Sequence, residues 1–525
     1  MVPAALIIKI IFLLQAAGLV TVWLYWIQTK EYRLDRFTVF LKNPDGIREL
    51  LVIPTLIKFF IFAVCFVFNP FLLLYLVEIL LLAIYFVIQI LKRKLRKPVF
   101  TKRVVRICLI SLVFTFTTLF LYQTEYWVRF FLSELTLLVG PLVGIYVTGI
   151  SVKNTLEREK KTAKDILEKF SPTVIAVTGS YGKTTTKDFI TQILSSKYKV
   201  LSTFKNQNTH FGIVRRIISD LKKYHKFFVA EIGAYKKGEI RKIAEVLKPD
   251  IAVITGLEPQ HLELFGTFEN LKQAKFELVE SLGEKGLAFF NITNPEVTTL
   301  EDLARRLGKN IKTYTYALNN KGRLDATSHI ERIDSDGATF KITIDDETKE
   351  IRTNLYSKRL IENLTGAILV ARRFGVEWAR IREVCRKLDL PDGTLNVFKT
   401  KSGLTIIDDS YNSTPHGFEA AVELLSQKEG KKKLVATTGI IELGNQSYLV
   451  HKKLGKLLDA VCDFVILRNK EFLTAFKDGI RDSSKIRLIT DSKKIIDFID
   501  RNTSSGSVVL IEGKLPQVVD YYRKI

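Results

Sequence analysis

The segment Val174-Ile-Ala-Val-Thr-Gly-Ser-Tyr-Gly-Lys-Thr-Thr-Thr186 decides how this chain is read. Val174 to Val177 is a short, mostly β-branched run that predicts a buried strand. The strand ends in a turn bracketed by Gly179 and Gly182, and Lys183 and Thr184 open a helix expected to reach about Leu194. A strand, a glycine turn and a lysine–hydroxyl helix start are what a nucleotide phosphate needs. Gly179 and Gly182 let backbone N–H groups approach the phosphates, with Ser180 and Thr185 in the same cradle, and the helix N-terminus adds partial positive charge. Lys183 is expected to reach the β/γ-phosphates and the Thr184 hydroxyl to ligate Mg²⁺. The spacing Gly-x-x-Gly-Lys-Thr is shorter than that of the usual Walker loop. An ordinary turn ahead of a helix is the bland alternative; the placement between strand and helix favours the cradle.

Around this segment the composition is uneven. A chain of 525 residues predicts about three domains. The first 150 residues are dominated by long apolar runs, and the rest has the mixture of a soluble α/β protein. The scattered Cys65, Cys108, Cys385 and Cys462 form no Cys-x-x-Cys or Cys/His cluster, so neither a zinc site nor a disulfide framework is indicated. The net charge of +24 is spread along the chain, and its densest run flanks apolar segments. A membrane surface is therefore the expected partner, and nucleic acid is not.

Five segments are long and apolar enough to be expected spans: 3–27, 51–68, 71–90, 105–122 and 130–150. The first lacks a small-residue cleavage site and reads as an anchor. Basic residues concentrate in the 28–50 loop and in the 92–106 loop, which has no acid. The positive-inside rule then places the N-terminus outside and everything after residue 150 in the cytoplasm, the organisation of a multi-pass cell-membrane protein. Lys9 and Glu134 lie near span ends and are expected to snorkel. Lys58 and Glu78 are expected to pair across the second and third spans. A charged helix, 151–170, follows as a connector.

Beyond the phosphate cradle, strands alternate with helices, the pattern of a doubly wound, mostly parallel sheet. Val200-Leu201 starts a strand before the polar loop Asn206-Gln-Asn-Thr-His-Phe-Gly212, in which Asn206 and Asn208 are candidate substrate contacts. Glu231 ends the strand that begins at Phe227, His261 sits in the loop after Ile251–Thr255, and Lys275 lies on a helix from about Phe268 to Leu282. In an open parallel sheet, ligand groups gather beyond the carboxyl ends of the strands. Glu231 is therefore placed as a ligand of the Mg²⁺ that Thr184 would hold. Leu287–Asn291 is a further strand, and 322–351 alternates like antiparallel strands. Asn363 is read as opening a helix to Phe374, and Pro391-Asp-Gly393 as a domain boundary. Five strands from Leu404 onward then predict a smaller, Rossmann-like α/β domain. The expected organisation is a membrane domain over 1–150, the connector, an ATP-binding domain over 171–391 and a C-terminal domain over 392–525.

Thr178–Thr186, Asn206-x-Asn208, Glu231-x-Gly233, His261-Leu-Glu263-x-Phe265-Gly266, Ala274-Lys275 and Asp408-Asp-Ser-Tyr-Asn412-x-x-Pro415 together resemble the Mur ligase family over about 171–525. Within it they look most like members that add D-alanyl-D-alanine to a muramoyl tripeptide in peptidoglycan synthesis. The resemblance implies ATP-dependent amide formation: a substrate carboxylate becomes an acyl phosphate, an amine attacks it, and ADP and phosphate leave. It implies two Mg²⁺ sites, the first with Thr184 and Glu231. The second has His261 and a carbamylated lysine at Lys275. It puts Asn291 at the adenine, Asp409 at the ribose, and Tyr411 and Asn412 toward the substrate of the last domain. Glu442-Leu-Gly444 and His451 also resemble the family.

The departures matter equally. The family's N-terminal domain, which grips UDP, has no counterpart, and apolar spans stand in its place. Thr394 stands where arginine is common, Asn294 where aspartate is, and Arg359 where histidine is. Glu512-Gly-Lys514 replaces a Lys-Gly-Ser that helps bind the incoming amino substrate. These changes leave open another amino acid, or a lipid-linked or non-muramyl acceptor. A transporter or sensor driven by a phosphate-loop ATPase is the alternative of another class, and a degenerate scaffold a third.

Overall fold

The computed structural model describes residues 4–42, 46–47, 50, 56–57, 60, 72–92, 95–120, 126–204, 207–259, 262–320, 322, 324–334, 337–410, 413–441, 443 and 446–524. These form two compact units, Met1–Arg158 and Glu159–Ile525.

The first unit is helical. Among the described residues three helices are long and apolar enough to cross a membrane, Ile7–Thr29, Lys102–Phe120 and Phe131–Phe170. They carry the first, fourth and fifth expected spans. The third lies on the apolar helix Leu72–Leu91, while 51–68 falls largely outside the described residues, as does Lys58 of the expected Lys58–Glu78 pair. Phe12, Ala16, Val20, Leu24 and Ile27 recur every three or four residues and pack on Ile79, Val104 and Ile107, the spacing of one helical face. Ile7, Leu14, Leu81, Val113 and Tyr146 stay exposed, as lipid-facing positions would. Glu134 departs from expectation. It is buried and accepts a 2.8 Å hydrogen bond from Gln15 Nε2, because a polar partner inside the unit satisfies it without snorkelling. The last span and the charged connector also prove to be one helix, Tyr126–Phe170, unbroken despite Pro141.

The second unit contains two sheets. The first has strands β1 (Thr173–Thr178), β2 (Val200–Ser202), β3 (Phe227–Glu231), β4 (Ile251–Ile254), β5 (Leu287–Asn291), β6 (Lys312–Leu318), β7 (Ala326–Asp334), β8 (Gly337–Ile344) and β9 (Glu347–Thr353). Their order is β2-β3-β1-β4-β5-β6-β7-β8-β9. Pairing is parallel as far as β7 and antiparallel from β7 through β9. Alternation along β1 builds the core on both faces. Ile175 and Val177 join Phe189, Ile193, Leu364 and Ile368, and Val174 and Ala176 join Ile213, Ile217, Ala274 and Leu278. The chain reverses its winding between β1 and β4, which opens a crevice beyond their carboxyl ends.

The second sheet has strands β10 (Asn396–Lys399), β11 (Thr405–Asp409), β12 (Lys433–Thr437), β13 (Phe464–Leu467), β14 (Ile486–Leu488) and β15 (Val508–Glu512), in the order β10-β11-β15-β12-β13-β14. Five of these were legible in sequence. The half-buried edge strand β10 was not, since four residues of mixed polarity carry almost no periodic signal. Helix starts also shift. Ser357 caps the helix Lys358–Arg373, so Asn363 lies within it instead of opening it. Thr209 caps His210–Asp220, accepting from Gly212 N, three residues before the apolar run that was read as its start.

Candidate active site

The cradle forms where β1 ends. Gly182 has φ +75°, and a Cβ there would lie 2.6 Å from Asn363 Oδ1, so only glycine fits. The Ser180 N–H donates to Gly256 O at 2.6 Å, and its hydroxyl to Glu258 O at 3.0 Å. Lys183 Nζ folds back onto Ser180 O at 2.8 Å. Desolvation lowers the Lys183 pKa, and Glu231 opposes that shift. Thr185 is buried behind the loop.

The predicted metal-side groups converge. Thr184 Oγ1 donates to Glu231 Oε2 at 2.7 Å, and Asn208 Nδ2 to Glu231 Oε1 at 2.9 Å. A hydroxyl and a carboxylate held together at the phosphate end of the crevice are the hard oxygen donors that Mg²⁺ takes. Lys275 is buried close by. Desolvation, then repulsion from Lys183, lowers its pKa to about 7, while Glu239, Glu231 and Glu277 oppose the shift. Glu277 itself accepts from the N–H groups of Gly238 and Arg241 at the start of the helix Glu239–Leu247. Asn206, His261, Tyr411 and Asn412 lie outside the described residues, as do Glu442 and Gly444.

At the end of β5, buried Asn291 donates to Glu362 and accepts from Thr293 N at 3.2 Å. Asp409 is buried at the end of β11, in register with Glu512 of β15. Ser413 Oγ donates to Glu512 Oε1 at 2.6 Å. Burial raises the Asp409 carboxyl to about 7 and, with Asp409 beside it, pushes Glu512 well above its ordinary value. Burial and mutual repulsion of the two acids therefore both favour protonation at this position.

Two departures noted in the sequence meet at one side chain. The Arg359 guanidinium lies 3.5 Å from the Tyr181 ring centroid and pairs with Glu258. Asn294 Nδ2 donates to the Tyr181 hydroxyl at 3.2 Å and to Leu257 O at 2.9 Å. A strut from three segments thus braces the glycine turn. Sequence reasoning passed over Tyr181, Glu258, Glu362 and Glu512 as acting groups; the departure at Arg359 was the available signal. Arg359→Ala should leave the Glu258 carboxylate buried without its cation, at a cost of about 3–5 kcal/mol in urea denaturation. Adding Glu258→Gln should recover most of that loss.

His451 is structural. Its Nε2 accepts from Ile440 N at 2.9 Å, its Nδ1–H donates to Ser447 O at 2.7 Å, and the ring stacks on Phe472. Burial lowers its pKa from 6.5 to about 4. The folded value lies below the unfolded one, so its contribution is complete above pH 6.5 and is lost as the pH falls toward 4. The urea midpoint should decline over that window, and less steeply in His451→Asn.

Comparison with known proteins identifies the family of this part of the chain. Residues 177–371 match the Mur ligase middle domain, and residues 395–515 the Mur ligase, glutamate ligase domain. Both regions lie within the second unit. The UDP-N-acetylmuramoyl-tripeptide–D-alanyl-D-alanine ligase of Bacillus subtilis is 29% identical over 378 residues, covering 70% of this chain and 80% of that protein. The Escherichia coli ligase of the same name is 27% identical over 364 residues, covering 69% and 79%. The structure of MurF ligase from Thermotoga maritima in complex with ADP is 27% identical, with TM-score 0.60 over 70% of this chain and 83% of that one. MurF from Acinetobacter baumannii shares the fold at TM-score 0.63 and 24% identity, covering 71% and 81%.

Proposed function

Because the chain belongs to the Mur ligase family, we propose that it is a membrane-anchored, ATP-dependent amide ligase of cell-wall peptide assembly. Its reaction joins D-alanyl-D-alanine to the carboxylate of a muramoyl tripeptide. The observation that carries this reading is the Thr184–Glu231–Asn208 hydrogen-bonded line at the cradle, with Lys183 and Lys275 beside it. The ligases of that name from Bacillus subtilis and Escherichia coli support the choice of substrates.

Lys183 and the backbone N–H groups of the turn bind the nucleotide phosphates and balance charge on the transferring phosphoryl group. Asn291 orients the base, and Asp409 meets the ribose. Thr184 and Glu231 would hold the first Mg²⁺, and His261 and Lys275 the second. Bound Mg²⁺ supplies Lewis-acid stabilisation of the phosphoryl oxygens. Lys275 suits its part because burial and Lys183 favour the neutral amine. That amine adds to CO₂, forming an N–C bond and losing one proton to water, and the carbamate presents anionic oxygen to a hard cation. Asn206 and Asn208 are assigned to the substrate, and Tyr411 and Asn412 to the acceptor side of the last domain.

The proposed organisation is a membrane domain over 1–150, a connector, an ATP-binding domain over 171–391 and a C-terminal domain over 392–525, with the N-terminus outside and the ligase in the cytoplasm; the basic loops and the apolar helices support it. Spans in place of a UDP-gripping domain favour a lipid-linked acceptor as the second reading. ADP release in detergent tests both. Turnover is expected only when D-alanyl-D-alanine and a muramoyl-tripeptide acceptor are both present. Turnover with neither would overturn the reading, and a preference for lipid-linked over UDP-linked tripeptide would select the second.

A further inference from the structure

Outside the cradle, the helix His210–Asp220 borders an open cavity of about 480 Å³, lined by Phe204, Gln207, Phe211, Arg215, Arg216 and Asp220 among others. Phe211 and Arg215 are one helical turn apart, and the guanidinium lies 5.4 Å from the ring centroid. Arg215 Nε donates to Glu159 at 3.4 Å; Arg216 Nε donates to Ser202 O at 3.0 Å and Nη1 to Asp220 at 2.7 Å. Neither Nη2 has a partner among the described residues. Exposed ion pairs of this kind are worth little and are readily exchanged. Two aromatic rings and two guanidinium forks therefore share one concave surface.

The loop ties this surface to the chemistry. A Cβ on Gly212 would lie 2.9 Å from Gln207 Cβ, so glycine lets the loop close on the helix. Gln207 lines the cavity, while the next residue, Asn208, donates to Glu231 and accepts from Gly233 N at 3.0 Å. Adjacent residues are about 3.8 Å apart, so a ligand here lies within a few residue spacings of the carboxylate at the cradle.

Building on the ligase reading above, we propose that this cavity binds the diphosphate of a sugar-diphosphate acceptor. Guanidinium forks match phosphate oxygens in pairs, and the phenyl rings cover the flat face of an attached ring. A nucleoside diphosphate sugar and a polyprenyl-diphosphate sugar share that chemistry.

The test uses the full chain in detergent, with its nucleotide site saturated by a non-hydrolysable ATP analogue. UDP, geranyl diphosphate and uridine are titrated calorimetrically against it and against Arg215→Gln/Arg216→Gln. Diphosphate affinity should fall roughly tenfold or more in the variant, the loss of one charge-assisted hydrogen bond, with uridine unaffected. The tighter of the two diphosphates names the source. In turnover, KM for a diphosphate acceptor should rise by a similar factor at constant kcat, and KM for a phosphate-free muramoyl tripeptide should not. Equal diphosphate affinity in both proteins, or equal loss with the phosphate-free acceptor, would overturn the proposal. A wild-type chain that turns over no acceptor would overturn the ligase reading, and the titration would still decide the cavity.

Discussion

Lys275→Ala should lose at least ~10²-fold in kcat, and millimolar short carboxylates such as acetate should restore part of it. A buried lysine whose pKa falls to about 7 is a poor permanent cation, and an ammonium beside Lys183 would repel the metal proposed at Glu231 and Thr184. On the proposed reading, a carbamate would reverse the sign of the side chain and extend it by one carboxylate group. Truncation removes that anionic oxygen and leaves room for a small carboxylate to substitute. Loss without rescue is the result of a lysine that only packs. Near-normal turnover without added carboxylate would remove Lys275 from the metal site altogether. Stripping CO₂ from the buffer should lower wild-type activity and leave the acetate-rescued variant unchanged.

The second large effect is at Lys183. Lys183→Ala should reduce kcat by at least ~10²-fold, because this cation lies over the glycine turn, bonded to Ser180 O. Stability should not follow activity. Desolvation already lowers the pKa of this lysine, so the folded state pays for its charge, and its removal should leave the thermal midpoint unchanged or raise it. A joint collapse of turnover and melting temperature would mean that the side chain supports the loop instead of the phosphates.

Much of this site was readable in the sequence because its groups sit at strand ends and helix starts, where type and spacing carry the signal. Gly182, Lys183, Thr184, Asn208 and Glu231 fall together as expected because β1 and β3 are adjacent and parallel, ending in register at Val177 and Glu231. What sequence could not give was pairing across distant segments. Glu258 and Arg359 are 101 residues apart and meet only because two elements converge on Tyr181. Glu512 looked like a lost lysine, and its closeness to Asp409 arises from the parallel register of β11 and β15. Glu134 misled for the opposite reason: its position near a span end suggested water, and Gln15 supplied a partner inside.

The account rests on activation of an acceptor carboxylate by ATP, and an oxygen label follows that step directly. The muramoyl tripeptide is prepared with ¹⁸O in its terminal carboxylate and turned over with ATP and D-alanyl-D-alanine in detergent. The phosphate released is then analysed by mass spectrometry. One ¹⁸O per phosphate is expected, equal in amount to the amide formed, because the bond that carries the phosphoryl group retains a carboxylate oxygen. Unlabelled phosphate, released whether or not amide forms, would contradict it.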